Sequence, residues 1–324
     1  MKILITGGAG YIGSHMTKYL QNKNLEVTVL DNLSTGHLSA IKECEFIEVD
    51  LRDSEKLEKK LKNKKYDCVM HFAAKSIVSE SIKDPLSYYE NNISGSINLL
   101  RNVIRNDIES FIFSSSAAVY GQPKTPSIEE THIKSPINSY GKTKLYVENL
   151  LNDISINMGL KVTSLRYFNA AGADESGEIG EDHFPETHLI PSIFNAYFNK
   201  SVFNIYGDTY DTTDGTCIRD YVHVNDLADA HFKSFQKHQS QKGFKAYNLG
   251  NEKGFSVMEI FLECQKVVGQ SIQYKVQKKR DGDPNILIAN ASLAKEKLMW
   301  SPKYTNIRDI INTAYLWHRF QHEK

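Results

Sequence analysis

Tyr140 and Lys144 lie four residues apart in the segment SYGKTK, which has the pattern of a helix start, so their side chains project from one helix face. A free tyrosine has a pKa of about 10, and a neighbouring ammonium or a cationic nicotinamide ring favours its phenolate form. Tyr140 is therefore predicted to exchange a proton with a substrate hydroxyl while a nicotinamide cofactor exchanges a hydride with the same carbon. YxxxK patterns also arise by chance on helices, so this prediction depends on a cofactor site elsewhere in the chain.

The stretch SSSAAVYG follows an apolar run and supplies a third group for this chemistry. We expect the hydroxyl of Ser116 to hydrogen-bond the reacting oxygen, whereas Ser114 and Ser115 serve packing, backbone contacts or the end of a strand. Ala117 and Ala118 come next, and a methyl group cannot transfer a proton. The stretch therefore offers a hydroxyl and no further acid or base.

Gly7, Gly10 and Gly13 mark a turn between the first predicted strand and the first predicted helix. Glycines in such a turn let backbone N–H groups approach a pyrophosphate and let the helix pack closely on the strand, and the helix N-terminus adds a partial positive charge. Asp31 ends the second predicted strand, where a carboxylate accepts hydrogen bonds from an adenosine ribose and repels a 2′-phosphate. Glycine-rich turns also occur without a ligand, but this full context predicts an NAD site.

Short apolar runs alternate with helical patterns through the first half of the chain. This alternation predicts an α/β fold of the Rossmann type, with a doubly wound parallel sheet whose ligands bind outside the carboxyl ends of the strands. The predicted strands are Lys2–Thr6, Glu26–Leu30, Glu45–Val49, Cys68–His71, Phe111–Ser114 and Val162–Leu165. The predicted helices are Tyr11–Gln21, Ser54–Leu61, Pro85–Arg105 and Ser139–Met158.

The pattern loosens in the second half, where loops rich in Gly, Asp and Pro separate shorter elements. We expect residues 1–168 to form an NAD-binding domain and residues 169–324 a smaller C-terminal α/β substrate domain, with segments that interleave with the first. One loop carries Asp208, Asp211 and Asp214, but their spacing differs from the D-x-D-x-D-G of a calcium-binding EF-hand and the distal Glu is missing. We expect this loop to present Arg219, and we predict no metal.

The composition argues against several classes of partner. Lys and Arg together number 39, as do Asp and Glu, which disfavours a general nucleic-acid or membrane-surface binder. No apolar run approaches the roughly 20 residues that span a bilayer, and the first residues lack the pattern of a signal peptide. Cys44, Cys68, Cys217 and Cys264 are widely spaced without a CxxC pair, as in reduced intracellular proteins. These features predict a soluble cytoplasmic protein.

With these motifs in place, the chain resembles the extended short-chain dehydrogenase/reductase family over nearly its whole length. The motifs TGGAGYIGSH and SYGKTK mark the superfamily, whereas LRYFNAAGA and DTTDGTCIRDYVHV are more specific to its hexose 4-epimerases. The other matching motifs are LDNLSTG, HFAAKSIVSESIKDPLSYYENN, FIFSSSAAVYG and YNLG.

The resemblance implies NAD as the cofactor and a catalytic trio of Ser116, Tyr140 and Lys144. It implies that Asp50 and Leu51 flank the adenine. The implied cofactor-binding residues are Gly7, Gly10, Tyr11, Ile12, Gly13, Asp31, Asn32, Ser34, Thr35, Gly36, Asp50, Leu51, Phe72, Ala73, Ala74, Lys75, Asn91, Ser114, Tyr140, Lys144 and Phe168, the last in contact with the nicotinamide.

The resemblance also implies a UDP-sugar substrate. Arginines suit its diphosphate, because a guanidinium pairs bidentately with phosphate oxygens; without the resemblance, Arg219 and Arg280 would be interpreted as surface ion-pair residues. The implied substrate-binding residues are Ser116, Tyr140, Asn169, His188, Leu189, Asn204, Tyr206, Arg219, Arg280, Asp283 and Leu287. Of these, His188 departs from an Asn present in some relatives.

The implied reaction inverts C4 of a UDP-hexose through a transient 4-keto sugar, with no net oxidation. Related 4,6-dehydratases resemble STDEVYG where this chain has SSSAAVYG, so Ala117 and Ala118 occupy the positions of their acidic pair, and related decarboxylases keep a Glu at the position of Ala118. Two further alternatives stay open, namely a dehydrogenase that consumes NAD and a non-catalytic NAD-sensing regulator on the same fold.

Two finer expectations also come from the resemblance. Leu287 aligns where the family carries either a bulky Tyr or a small residue beside the 2-substituent of the sugar, so we expect activity on UDP-glucose and UDP-galactose and, as an extension, on UDP-GlcNAc and UDP-GalNAc. Members of the family commonly form homodimers in which the Pro85–Arg105 and Ser139–Met158 helices pack as a four-helix bundle.

Overall fold

A computed structural model describes residues 1–238, 240, 242–280 and 283–323 of the chain. Numbered along the chain, its strands are β1 (Lys2–Thr6), β2 (Glu26–Asp31), β3 (Glu45–Glu48), β4 (Cys68–His71), β5 (Ser110–Ser116), β6 (Ser127–Ile128), β7 (Lys161–Tyr167), β8 (Asn169–Ala171), β9 (Phe203–Tyr206), β10 (Ile218–His223), β11 (Phe244–Leu249), β12 (Gly254–Ser256), β13 (Tyr274–Gln277) and β14 (Ile286–Ala289). Its α-helices are α1 (Tyr11–Gln21), α2 (Ser54–Leu61), α3 (Val78–Lys83), α4 (Pro85–Tyr89), α5 (Gly95–Arg105), α6 (Ser139–Met158), α7 (Leu189–Phe198), α8 (Val224–Lys237), α9 (Val257–Val268), α10 (Ser292–Leu298) and α11 (Ile307–Glu323).

The predicted doubly wound parallel sheet is confirmed. Seven strands follow the order β11-β7-β5-β4-β1-β2-β3, and each neighbouring pair is parallel. One apolar cluster joins α1, α8 and α10 to one face of this sheet, and a second joins α2, α5 and α6 to the other. The strand order reverses between β1 and β4, which is where ligands bind in such sheets.

The predicted elements differ from the observed ones mainly at their ends. The strand β5 extends to Ser116 rather than ending at Ser114, because all three serines continue the parallel pairing with β7. The helix predicted over Pro85–Arg105 is divided, with a π-helical turn at Glu90–Ser94 between α4 and α5. Such a turn widens the helix by one residue and is often found at functional sites.

A second, smaller set of elements surrounds the carboxyl ends of the main sheet. The strands β12, β10, β14 and β6 form a sheet in that order, with β8 paired to β10, and β13 pairs with β9. The chain crosses between the two parts, because β6 comes from the first half while β11 returns to the edge of the main sheet. The division of the chain at residue 168 remains a prediction about its domains.

Helix α6 carries the Tyr–Lys pair and is well defined at both ends. The side chain of Asn138 caps its start by accepting a hydrogen bond from the backbone N–H of Gly141 at 2.8 Å. Gly159 ends it in the left-handed conformation, with a φ of 76°. Helix α6 is therefore fixed in length by its own sequence, and its orientation depends on what its inner face contacts.

A buried ion pair anchors the inner face of α6 to the sheet. Glu148 accepts hydrogen bonds from Arg166 at 2.9 and 2.6 Å, and it also accepts from the hydroxyls of Ser115 and Ser164. Both charged side chains are only 2% exposed. Burial opposes ionisation, but the hydrogen bonds from Arg166 and the two serines lower the pKa of Glu148 below its ordinary value.

Glu148→Leu should lower the free energy of unfolding by about 3–5 kcal/mol, because it leaves the Arg166 guanidinium buried without a counter-charge. The double variant Glu148→Leu/Arg166→Met should lose clearly less than the sum of the two single variants, since it removes both charges together. Urea unfolding of the four proteins measures this coupling. Strictly additive losses would show that the ion pair does not fix α6.

Candidate active site

The glycine-rich turn between β1 and α1 lies at the point where the strand order reverses. Gly7 has a φ of +73°, and a Cβ there would lie 2.4 Å from the backbone nitrogen of Ala73. A Cβ at Gly13 would lie 2.1 Å from the carbonyl oxygen of Gly7, so these two glycines allow the turn to pack tightly. A Cβ at Gly10 would meet nothing closer than 3.5 Å, which leaves open space before the helix start.

The open space at Gly10 suits an anion. Helix α1 begins directly after Gly10, which has no side chain to cap the first N–H groups of the helix, and its first turn contains no acidic residue. Uncapped N–H groups and the helix dipole together favour a phosphate. The turn therefore fits the pyrophosphate of a dinucleotide, with Gly10, Tyr11 and Ile12 nearest to it.

Asp31 at the end of β2 orders the rim of this turn. Its two carboxylate oxygens accept hydrogen bonds from the backbone N–H groups of Ala9 at 3.0 Å and Leu33 at 2.9 Å. The Ser34–Gly36 loop follows, and a Cβ at Gly36 would lie 2.7 Å from the backbone of Ala9. Each carboxylate oxygen keeps a lone pair, so Asp31 can hold the turn and still accept hydrogen bonds from a ribose.

Asp50 and Leu51 follow β3 on the same side of the sheet. Hydrogen bonds from the Arg52 side chain hold the pKa of Asp50 well below its usual range. Asp50 also accepts from the side-chain amide of Asn32 at 2.8 Å, so these two predicted cofactor residues lie in contact. Leu51 is buried, and its carbonyl accepts from Asn98 at 3.0 Å.

The segment after β4 lies directly across from the glycine-rich turn. The backbone N–H groups of Phe72 and Ala73 both donate to the carbonyl of Thr6, at 2.8 and 3.0 Å. Asn92, in the π-helical turn, accepts from the backbone N–H of Lys75 at 2.8 Å and from the side chain of Asn91 at 2.9 Å. Phe72, Ala73, Ala74, Lys75 and Asn91 are all half-buried. The structure thus places this predicted set along one edge of the cleft.

The predicted catalytic trio comes together where β5 meets α6. A hydrogen bond links the side chains of Ser116 and Tyr140. The ammonium of Lys144 lies 5.8 Å from the centroid of the Tyr140 ring and donates to the carbonyl of Ser114 at 2.7 Å. It also lies 4.9 Å from the centre of the Phe113 ring. A hydroxyl, a phenol and an amine are therefore held within one pocket wall.

Lys144 is almost fully buried, and burial lowers its pKa to about 7, while the charge of Glu148 one helical turn away opposes the shift. A lysine in this state exchanges a proton near neutral pH. It is therefore able to respond to a change in charge at the site, which an exposed lysine would not do.

The predicted lowering of the Tyr140 pKa was wrong for the chain by itself. Burial raises the pKa of Tyr140, and the hydrogen bond with Ser116 opposes this only in part. Desolvation disfavours the phenolate, and Lys144 is too near neutrality to act as a fixed positive charge. The phenol form is thus the resting state, and a cationic ring beside Tyr140 would be needed to favour the phenolate.

Arg219 and Asp283, both predicted to hold the substrate, contact one another. A nitrogen of the Arg219 guanidinium donates to Asp283 at 2.5 Å, and a second donates to the backbone carbonyl of Ile218 at 2.6 Å. Tyr210 also donates to Asp283, at 3.0 Å. Arg219 is 8% exposed, so it is not the surface residue that its sequence context alone would indicate.

The other predicted substrate residues lie on β9 and around it. The guanidinium carbon of Arg280 lies 4.5 Å from the centre of the Tyr206 ring, a cation–π contact on the protein surface. Asn204 accepts from Gln277 of the neighbouring strand at 3.0 Å. Asn169 is paired with Tyr221 between β8 and β10. These residues border the cleft, and each already has a protein partner.

Leu287 and Phe168 share one small apolar cluster with Ala117 and Val119. Leu287 lies on β14 directly opposite Arg219 of β10. This places a predicted specificity residue between the end of β5 and the Arg219 side chain. The cluster is the apolar wall of the cleft.

The aspartate-containing loop that resembles a calcium site is held by its own hydrogen bonds. Asp214 accepts from the backbone N–H and the hydroxyl of Thr216, each at 2.8 Å, and from the hydroxyl of Ser256, which caps α9. Asp208 and Asp211 are exposed. The loop leads directly into β10 and so to Arg219.

Two features of the site were missed by sequence analysis. The first is the Glu148–Arg166 pair behind the catalytic wall, whose sole sequence signal is the continuation of the Tyr140, Lys144 spacing to Glu148. The second is a group of acidic and histidine side chains around His188, which precedes α7. Its signal is the spacing E-x-H-x-x-E-x-H from Glu181 to His188.

Each helix among the described residues is too short or too polar to cross a bilayer.

Comparison with known proteins matches this geometry to one family. Residues 3–250 match the model of the NAD dependent epimerase/dehydratase family. The chain is 46% identical over 321 residues to the UDP-glucose 4-epimerase of Lactobacillus helveticus, covering 98% of this chain and 97% of that protein.

Solved structures agree with this. The crystal structure of the Brucella ovis UDP-glucose 4-epimerase in complex with NAD has a TM-score of 0.93 and 43% identity, with 97% of each chain covered. That of the Bifidobacterium longum UDP-glucose 4-epimerase in complex with NAD+ and UDP has a TM-score of 0.94 and 34% identity, covering 99% of this chain and 98% of that one.

The buried state of Lys144 predicts a pH dependence of stability in the cofactor-free chain. The folded chain releases this proton near pH 7, whereas the unfolded chain keeps it up to an ordinary pKa of 10.5. Between these values the unfolded state binds more protons, so the contribution of Lys144 to the free energy of unfolding rises with pH across this window.

Urea unfolding from pH 6 to pH 11 tests this. The difference between wild type and Lys144→Met should move in favour of wild type from about pH 7 to pH 10 and be constant below pH 7. Lys142→Met, at an exposed position of the same helix, should follow wild type throughout. A difference between wild type and Lys144→Met that does not vary with pH would contradict a lowered pKa.

Proposed function

Because the chain belongs to the NAD-dependent epimerase/dehydratase family, we propose that it interconverts UDP-hexoses by inverting C4, with NAD as the hydride carrier. The observation that carries this proposal is the trio at the end of β5, where Ser116 and Tyr140 are hydrogen-bonded and Lys144 is buried beside them. These groups suffice to move one proton at one oxygen. The adjacent Ala117 and Ala118 add none.

The cofactor is held by residues that the fold has already placed. Gly10, Tyr11 and Ile12 bind its pyrophosphate through backbone N–H groups, and Asp31 binds its adenosine ribose. Asp50 and Leu51 line the adenine side, and Phe72 to Lys75 line the opposite edge. When bound, NAD supplies the acceptor and the donor of the C4 hydride.

Tyr140 acts as the base and then the acid at the 4-oxygen of the sugar. Its phenolate removes the proton of the 4-hydroxyl while the C4 hydrogen leaves as a hydride, and its phenol returns the proton when the hydride comes back. Ser116, hydrogen-bonded to Tyr140, holds the 4-oxygen through both transfers. The positive charge of the oxidised nicotinamide favours the phenolate, which the resting chain does not.

Lys144 positions the site and adjusts its charge. Its ammonium donates to the Ser114 carbonyl and so fixes the end of β5 against α6. With a pKa of about 7 it gains or loses a proton near working pH. Protonated Lys144 stabilises the phenolate of Tyr140, and it also hydrogen-bonds the nicotinamide ribose.

Inversion requires the sugar to present both faces to the same groups. We propose that Arg219 and Arg280 hold the diphosphate, with Asn204, Tyr206 and Asp283 around the uridine, so that the 4-keto sugar turns over while its UDP end stays anchored. Arg219 must then share its guanidinium between Asp283 and the phosphates, which its several N–H donors allow. Asn169, His188 and Leu189 complete the predicted sugar contacts.

Two other reactions are disfavoured by the same wall. A 4,6-dehydratase needs an acid and a base to remove water across C5 and C6, and Ala117 and Ala118 stand where its relatives carry them. A dehydrogenase with net oxidation would use the same trio but would consume free NAD in proportion to product. A non-catalytic NAD sensor would have no need of the trio.

Incubation of the purified protein with UDP-galactose tests the proposal. UDP-glucose should appear, with no net change in added NAD, as followed by chromatography. Tyr140→Phe should lower kcat by about 10²–10⁴-fold, because no other group can exchange the proton. It should bind NAD and UDP as tightly as wild type, since the hydroxyl is the only group removed.

Tyr274→Phe, at an exposed position on β13, is the matched control and should be fully active. Failure of the wild-type protein to convert UDP-galactose would overturn the proposal. The same assay with UDP-GalNAc tests the extension to N-acetylated sugars: we expect conversion, and we expect Leu287→Tyr to abolish it while sparing UDP-galactose, because a ring at this position fills the space of the N-acetyl group.

We propose that the protein is a homodimer. Apolar side chains are exposed along α4 and α6, including Leu86 at 74%, Tyr146 at 51% and Ile156 at 71%. The two helices pack against each other, so a second copy could cover these side chains in a four-helix bundle. Sedimentation velocity of wild type and of Leu86→Glu/Ile156→Glu should give a dimer and a monomer, respectively.

We place the protein in the cytoplasm. Cys44, Cys68, Cys217 and Cys264 are all free, and the last three are buried. Unpaired buried thiols are usual where the compartment is reducing. Fractionation of cells that produce the protein should find it with cytoplasmic markers, and recovery with secreted proteins would contradict this.

A further inference from the structure

We propose that Glu181, His183, Glu186 and His188 bind one zinc ion at the base of the segment that leads into α7. Each of these side chains offers one ligand atom, and the four atoms all lie within 4.8 Å of one another. Tetrahedral Zn²⁺ with bonds of about 2.0–2.2 Å to nitrogen and oxygen needs its ligand atoms roughly 3.3–3.5 Å apart. Small side-chain rotations therefore bring the four atoms to coordination distance.

The contacts within the group point toward one centre. The Nδ1 atom of His183 lies 3.2 Å from a carboxylate oxygen of Glu181, and the Nδ1 atom of His188 contacts the same oxygen. A carboxylate oxygen of Glu186 lies 4.0 Å from Nδ1 of His188. The two imidazole rings meet edge to face, with their centres 5.7 Å apart. Two nitrogens and two oxygens thus surround a common space.

Other parts of the protein hold the four ligands in place. The ligand oxygen of Glu186 accepts from the backbone N–H groups of Thr187 and His188, each at 2.7 Å. The carbonyl of Glu181 accepts from the indole of Trp317 on α11 at 3.0 Å. Outer contacts of this kind orient ligands and strengthen metal sites.

The chemistry of the donors selects the ion. Two carboxylates balance the charge of a divalent cation, and Glu181, only 4% exposed, is costly to keep ionised without one. Imidazole nitrogens favour zinc and other late first-row metals over Mg²⁺ and Ca²⁺, which prefer oxygen alone. The side chains of His183 and His188 are 26% and 51% exposed, so an ion can enter from solvent.

The ion would fasten the segment that links the cofactor side of the cleft to the substrate side. Asp174 and Glu178 of this segment pair with Lys18 of α1, and Asp182 lies 3.4 Å from His37 beside the cofactor loop. At its other end, His188 is the residue that precedes α7. Zinc would fix this end as the ion pairs fix the first. It would also engage His188, which was expected to contact the sugar.

Metal content and affinity of the full-length protein test the site. After treatment with a chelator and desalting, wild type should take up one Zn²⁺ per chain by mass spectrometry of the metal and by titration calorimetry. His183→Asn and Glu186→Gln should each weaken binding by at least about tenfold, since each removes a ligand. His322→Asn alters an exposed histidine on α11 and should bind like wild type.

A second readout does not depend on affinity. Added Zn²⁺ should raise the Tm of wild type and of His322→Asn but not that of His183→Asn or Glu186→Gln, and Co²⁺ should give the visible spectrum of a tetrahedral site in wild type alone of the first three. If one variant fails to fold, the other decides. The proposal is overturned if wild type takes up no zinc, or if both ligand variants bind zinc as tightly as wild type.

Discussion

A buried carboxylate on α6 requires a buried cation, and this requirement sets the geometry of the whole site. Tyr140, Lys144 and Glu148 follow one another along the inner face of α6, and Glu148 is satisfied only where Arg166 of β7 and Ser115 of β5 meet it. A shift of α6 by one turn would leave both charges buried and unpaired. The ion pair therefore fixes the register in which Tyr140 reaches Ser116.

The same burial makes the charges at the site easy to change. The pKa of Tyr140 is raised and that of Lys144 is lowered to about 7, so the resting site favours the uncharged forms of both. A cationic nicotinamide would favour the phenolate and oppose protonation of the amine. The proton equilibrium of the site would then depend on the oxidation state of the cofactor, which is what a reaction that oxidises and reduces the same carbon in turn requires.

Local patterns predicted the elements and the nucleotide turn, because glycine spacing, hydrophobic period and helix caps act within a few residues. They could not show that Arg219 pairs with Asp283, since these residues are far apart in sequence and meet through β10 and the loop before β14. The pKa of Tyr140 was predicted in the wrong direction, because burial is a property of the packed fold. The Glu181–His188 group was overlooked although its spacing is local, since no chemistry of the main site requires it.

The central claim is that one set of groups removes and returns the hydrogen at C4 without releasing it. UDP-galactose carrying deuterium at C4 tests this most directly, with mass spectrometry of the equilibrated UDP-hexoses. The account predicts that deuterium remains at C4 of both UDP-galactose and UDP-glucose and that none appears in water. Loss of deuterium to solvent at the rate of product formation would contradict it, since the C4 hydrogen would then leave as a proton.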